Sequence, residues 1–131
     1  MNIDSSSDFY TVSREDYLIA IYLLQIQKQD VRSIDVAEML GYSKPSVSNG
    51  IHLLIENGLL DMDSDRFLRL TEKGQKKAKN IYQRYKTVKD FFQIILGVEE
   101  RIAEKDSRSI EHLISTEVLQ EMGSFLQNRI K

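Results

Sequence analysis

Apolar residues recur at helical spacing along most of this chain, and the places where the spacing breaks mark its joints. Leu18, Ile21, Tyr22 and Gln25 share one face of a helix predicted from Arg14 to about Gln27. Ile19, Ala20, Leu23 and Ile26 widen that face, so the helix is expected to be buried on more than one side. Ser13 stands at its predicted cap with Asp16 three residues on, the spacing of a capping box. Residues 1–12 are mostly polar and read as a loose arm. A loop at Gln29-Asp30 and a short strand at Val31-Arg32 lead to a second helix, Ile34 to Leu40, capped by Ser33 and stopped by Gly41. Val36, Ala37 and Leu40 are its inward residues. A third helix opens at Pro45, whose fixed φ suits a first helical position, after a cap at Lys44. Ser43, one residue further out, can still serve the freed amides. Val47, Ile51 and Leu54 form the inward stripe, and Ser46, Ser48, Asn49 and His52 are left facing out.

After Gly58 the period turns from helical to extended. Leu59 to Met62 and Phe67 to Leu70 flank Asp63-Ser64-Asp65-Arg66, a hairpin with an acidic tip. Thr71 caps a long helix over about 72–96, about 37 Å in length. Ala78, Ile81, Tyr85, Val88, Phe92 and Ile95 give it a seam for partner helices. Gly97-Val98 closes it. Glu99 to Ile114 reads as another helix, and Ser115 or Thr116 caps a last one carrying Leu119, Met122, Leu126 and Ile130. The fold class is therefore mainly α. A winged helix-turn-helix domain over 1–72 is followed by a helical dimerisation domain over 73–131.

Composition narrows the chemistry. The 131 residues suffice for one domain with a helical extension, and the absence of cysteine removes disulfides, thiolate–zinc sites and thiol catalysis together. No signal-peptide pattern opens the chain and no apolar run approaches membrane-spanning length, so a cytoplasmic protein without membrane association is expected. There are two histidines, no nucleophile–base pair and no phosphate-binding glycine loop, which argues against an enzyme. The net charge is −2, unevenly spread: residues 1–70 carry six basic and eleven acidic side chains. Lys73, Lys76, Lys77, Lys79, Arg84 and Lys86 then face Glu72 alone within residues 71–86. That block reads first as a solvated helix face and second as a surface for a phosphate backbone.

Two short helices joined by a tight turn, the second beginning with small polar residues, suit insertion into a DNA major groove. Ser43, Lys44, Pro45, Ser46, Ser48, Asn49 and His52 are the candidate contacts on that helix. Ser43 and Lys44 suit phosphates, and Asn49 suits adenine. Arg66 or Arg69 in the hairpin can reach phosphate or the minor groove, although Arg69 suits a cross-strand acidic partner equally well.

Several segments resemble the diphtheria-toxin-repressor family of metal-dependent transcriptional regulators. They include Glu15-Asp16-Tyr17-Leu18, Asp35-Val36-Ala37-Glu38-Met39-Leu40, Pro45-Ser46-Val47-Ser48 and Leu70-Thr71-Glu72-Lys73-Gly74. Ile95-Leu96-Gly97-Val98-Glu99-Glu100 and Ile110-Glu111-His112-Leu113-Ile114-Ser115 extend the likeness to about residue 130. It is greatest with the short, manganese-responsive branch. The resemblance implies a homodimeric repressor on a palindromic double-stranded operator, controlled by manganese or iron, with Asp16, Glu111 and His112 as the matching metal ligands.

At three further ligand positions of that family this chain has Ile19, Tyr85 and Arg108, which argues against a two-metal cluster. Three readings follow: Arg108 replaces the metal, a mononuclear site remains at Asp16, Glu111 and His112 with help from Glu104, or the pocket answers an organic ligand. A metal-independent regulator is one alternative. A protein-interaction winged helix without DNA binding, which the acidic first half favours, is another.

Overall fold

The computed structural model describes residues 5–130, with side chains from residue 14 to residue 129. The chain folds as two compact units, 1–79 and 80–131. The boundary falls inside a helix, α4 (Glu72–Asp90).

The first unit contains α1 (Ser5–Gln27), α2 (Ser33–Leu40), α3 (Lys44–Glu56), and a hairpin of β1 (Leu60–Met62) and β2 (Leu68–Leu70). The opening turns of α4 complete it. Leu18, Ile21, Val36, Val47, Ile51, Leu54, Leu60 and Leu68 are buried, so the predicted apolar stripes converge on one core. The strands pair antiparallel, with Leu60 opposite Leu70 and Met62 opposite Leu68. Val31 adds a single bridge to Leu68 in place of a full third strand. Together these elements make a winged helix-turn-helix.

Helix α1 starts earlier than its pattern predicts. The stretch from Ser5 to Val12, expected as part of an arm, is helical, because no proline or glycine there stops a formed helix from growing backward. Ser13 therefore lies inside α1 and is not its cap; its side chain and residues 1–4 lie outside the described residues. Helix α2 is also capped differently. Ser33 is its first residue, and the Arg32 amide donates to the Asp35 carboxylate at 2.8 Å. Gly41 ends it at φ 70°, as expected. Ser43 itself is the N-cap of α3, accepting from the Ser46 amide at 3.3 Å, so Lys44 is one residue into the helix. Thr71 caps α4 by accepting from the Gly74 amide at 3.0 Å.

The second unit contains the rest of α4, a π-helical turn (Phe91–Ile95), α5 (Glu100–Ile110), a 3-10 turn (Glu111–Leu113) and α6 (Thr116–Ile130). The long helix expected to reach Leu96 thus keeps α geometry only to Asp90. The widened turn that follows accompanies the packing of Phe91 against Phe125, ring centroids 6.0 Å apart. Ser115 supplies the cap of α6, its hydroxyl accepting from the Val118 amide at 3.2 Å. Ile81, Val88, Ala103, Leu119 and Leu126 are buried, while Ile94, Leu96, Ile102, Leu113, Val118 and Phe125 are exposed. Among the described residues no helix is long and apolar enough to cross a membrane.

Candidate functional site

Helix α3 separates its two faces cleanly. Val47, Gly50, Ile51 and Leu54 are buried, and Ser43, Lys44, Pro45, Ser46, Ser48, Asn49 and His52 are exposed. Every contact residue predicted on this helix is therefore on its outer side or at its tip. The Ser43 hydroxyl is partly committed, since it also donates to the Ser46 hydroxyl at 3.0 Å.

The inner side holds a residue whose part the hydrophobic pattern does not convey. A methyl group at Gly50 would run into the Tyr17 ring, so α1 and α3 approach more closely there than any side chain allows. Tyr17 is buried, and its hydroxyl donates to the Ser46 carbonyl at 3.0 Å. Burial raises its phenol pKa, and the neighbouring Asp16 carboxylate adds to the rise. Tyr42, in the turn before α3, meets Tyr17 edge-on at 5.8 Å and donates to Asp16 Oδ2 at 3.2 Å. A glycine in mid-helix, which costs about 1 kcal/mol against alanine, was the available signal for this close approach.

In the hairpin, Asp63 Oδ1 accepts from the amides of Asp65 and Phe67, both at 2.9 Å, and these bonds hold the turn. They keep the Asp63 carboxyl below the usual carboxylate range, with help from Arg69. Arg66 takes a left-handed conformation, φ 67°, and is exposed at the tip. Arg69 is turned back on the unit. Its guanidinium donates to Asp30 Oδ1 and to the Gln29 carbonyl, both at 2.8 Å, and to Asp63 Oδ2 at 3.4 Å. The acidic partner is the role the structure gives it. Arg32 lies over the Phe67 ring at 4.2 Å and donates to the Asp65 carbonyl at 3.2 Å, bracing the wing from the α2 side.

The metal-ligand candidates fall in different units, Asp16 in the first and Glu111 and His112 in the second. Glu111 is buried, 3% exposed, and its partner is one that the sequence pattern does not single out. Arg84 Nε donates to Glu111 Oε2 at 3.1 Å. Its Nη2 donates to the carbonyls of Glu111 at 2.8 Å and Ile114 at 3.0 Å. Arg84, grouped by sequence with the basic outer face of α4, is thus directed inward. It binds the 3-10 turn to the helix. Arg108, which one of the three readings puts in place of the metal, is exposed on α5.

Tyr85 is half-buried, and burial pushes its phenol up to about 12, with the Glu104 carboxylate adding to the shift. It is a neutral packing group at physiological pH. His112 Nδ1 is buried without a hydrogen-bond partner among the described residues. An unpartnered imidazole nitrogen thus adjoins in sequence a carboxylate that is already paired with a guanidinium.

Comparison with known proteins agrees with this layout. Residues 10–68 match the N-terminal DNA-binding domain of iron-dependent repressors, and residues 71–129 match their metal-binding and dimerisation domain. An HTH-type transcriptional regulator MntR of Shouchella clausii is 37% identical over 117 residues, covering 89% of this chain and 81% of that protein. An uncharacterised HTH-type regulator of Methanocaldococcus jannaschii is 31% identical over 116 residues, covering 88% and 93%. Among solved structures, the metal-dependent transcriptional regulator MtsR superposes with a TM-score of 0.80 at 26% identity, over 87% of this chain. This chain spans 53% of that one, about half its length. The chain belongs to the iron-dependent repressor family, which the motifs of the sequence resemble under its diphtheria-toxin-repressor name: dimeric, DNA-binding transcriptional regulators and not enzymes.

Proposed function

We propose that the chain acts as a homodimer on a palindromic operator, reading each half-site with α3 and steadying it with the wing, in the cytoplasm where the DNA is. Half-site centres are expected about one helical turn apart, or a multiple of that. The observation that carries this reading is the division of α3 into a buried apolar face and an exposed face of hydroxyls, an amide, an imidazole and one ammonium. Lys44 and Ser43 suit phosphates, Ser46, Ser48 and His52 suit the groove edge, and Asn49 suits adenine. In the wing, Arg66 takes the phosphate role, and Arg69 holds the wing in place. The exposed Ile94, Leu96, Ile102, Leu113, Val118 and Phe125 support the second unit as the dimer surface.

The test is selection of duplexes from a random pool, followed by titration at several salt concentrations. Enrichment of a two-fold symmetric site with salt-dependent affinity is expected. No duplex bound at any salt concentration would overturn it in favour of a protein-interaction winged helix.

For the effector, we infer one divalent ion of the manganese or ferrous class. The donors would be His112 and Glu111, with Asp16 carried over from the family resemblance. A second reading, control without metal, is favoured by the Arg84–Glu111 pair, whose guanidinium already supplies a positive charge to that carboxylate. Calorimetry with Mn(II), Fe(II), Co(II) and Zn(II) separates them. Micromolar binding that disappears in His112→Ala carries the first, and absence of binding carries the second.

A further inference from the structure

The path from α1 to the tip of α3 carries a role that overall packing does not require. We propose that Tyr17 and Tyr42 are positioning residues for DNA reading, forming a relay from the Asp16 carboxylate to the Ser46 carbonyl. The proposal rests on α3 being the reading helix.

Each link is a specific contact within the first unit. Tyr42 Oη donates to Asp16 Oδ2 at 3.2 Å, and the Tyr42 ring meets Tyr17 edge-on, with an interplanar angle of 85°. Tyr17 Oη then donates to the Ser46 carbonyl at 3.0 Å. The relay grips α3 at two points of its first turns. The hydroxyl holds the Ser46 carbonyl, and the ring occupies the slot left open by Gly50. Ser46 and Asn49 lie on the outer side of those turns, so a shift of the helix along its own axis moves every proposed contact on that helix together. Tyr42 directly precedes Ser43, the N-cap, so its hydrogen bond also fixes where the helix begins.

A buried phenol needs a partner for its hydroxyl, but the partners available differ in consequence. A carbonyl deep in the core would satisfy Tyr17 equally well. Its choice of a carbonyl in the first turns of α3 ties α1 to the place where small displacements alter recognition. Asp16 stands at the other end. Its carboxylate accepts from Tyr42, so the relay couples that residue to the reading helix.

The test uses Tyr17→Phe and Tyr42→Phe in the full chain, since both keep the ring and remove one hydroxyl. The probes are a duplex selected by the wild-type protein and a scrambled duplex of the same length, titrated by fluorescence anisotropy, with melting temperature as a control. Loss of one hydrogen bond predicts a roughly two- to tenfold loss of affinity for the selected duplex. Binding to the scrambled duplex should stay unchanged, while the melting temperature falls by the few degrees that loss of one hydrogen bond costs. A merely structural role would lower the melting temperature and leave the ratio of the two affinities alone. An unchanged ratio in both variants overturns the proposal.

Amide exchange at Gly50, whose N–H shares the Ser46 carbonyl in the helix, provides a readout without DNA. If the wild-type protein distinguishes no duplexes, the reading of α3 fails. The relay is then judged on exchange alone: faster exchange in Tyr17→Phe supports it, and unchanged exchange overturns it.

Discussion

On the proposed reading, charge matters more than shape at Lys44, and at Asn49 the reverse holds. Both are exposed on α3, one at its first residue and one on the outer face a turn later. Lys44→Ala should weaken binding to all duplexes alike and reduce the salt slope by about one. Asn49→Ala should instead relax the selected sequence at one position in each half-site. Gly50→Ala sets two effects against each other. Alanine gains about 1 kcal/mol of helix propensity, but its methyl meets the Tyr17 ring, and such overpacking costs about 1–3 kcal/mol. The clash also displaces the hydroxyl bonded to Ser46, so a net loss of stability in urea unfolding is expected.

Asp35 gives the pH-dependent case. The Arg32 amide holds its carboxyl below the usual range, against a smaller opposing effect of burial, with Lys28 assisting. A depressed folded-state pKa means stabilisation that is complete above the ordinary carboxylate value and lost as pH falls through the folded value. Asp35→Ala should therefore cost about 1 kcal/mol at pH 7. Denaturant midpoints of variant and wild type should converge as the solution is acidified below the ordinary carboxylate range.

The elements show where periodicity is sufficient and where it is not. Stripes at threes and fours identified α1 to α4, because they follow from burying one face, and the change to an extended pattern after Gly58, with the Asp-Ser-Asp turn, identified the hairpin. Ends were less legible. The start of α1 depends on the absence of a stop signal, and the π turn at Phe91 coincides with packing on a ring of α6 distant in sequence. The site shows the same limit. The outer residues of α3 could be read from their polarity, whereas the Arg84–Glu111 pair could not, since an arginine directed inward has the same composition as one in solvent. Arg84→Ala should destabilise the second unit toward the lower end of the about 3–5 kcal/mol for one partner of a buried pair. The lower end applies because the Arg84 side chain is 23% exposed, against 4% for Glu111. The double variant Arg84→Met, Glu111→Leu should recover much of that loss in denaturant unfolding.

For the whole molecule, two copies are needed to present two reading helices to one operator. Val118→Glu with Phe125→Glu places charge on exposed apolar positions of α6. Sedimentation should show the dimer weakened at least tenfold, with helical circular dichroism retained, and operator affinity should fall with it.

The charge of the first unit has a bearing on how such a dimer finds its site. Residues 1–79 hold ten basic and twelve acidic side chains, and the tip of α3 carries one ammonium. Attraction to arbitrary DNA comes almost entirely from cations displacing counterions. With those cations outnumbered by acidic groups that repel phosphate, this dimer should dwell only briefly on the decoy sequences that fill a chromosome. Occupancy of the operator would then be set by fit in the groove, and competitor DNA should titrate the protein away poorly.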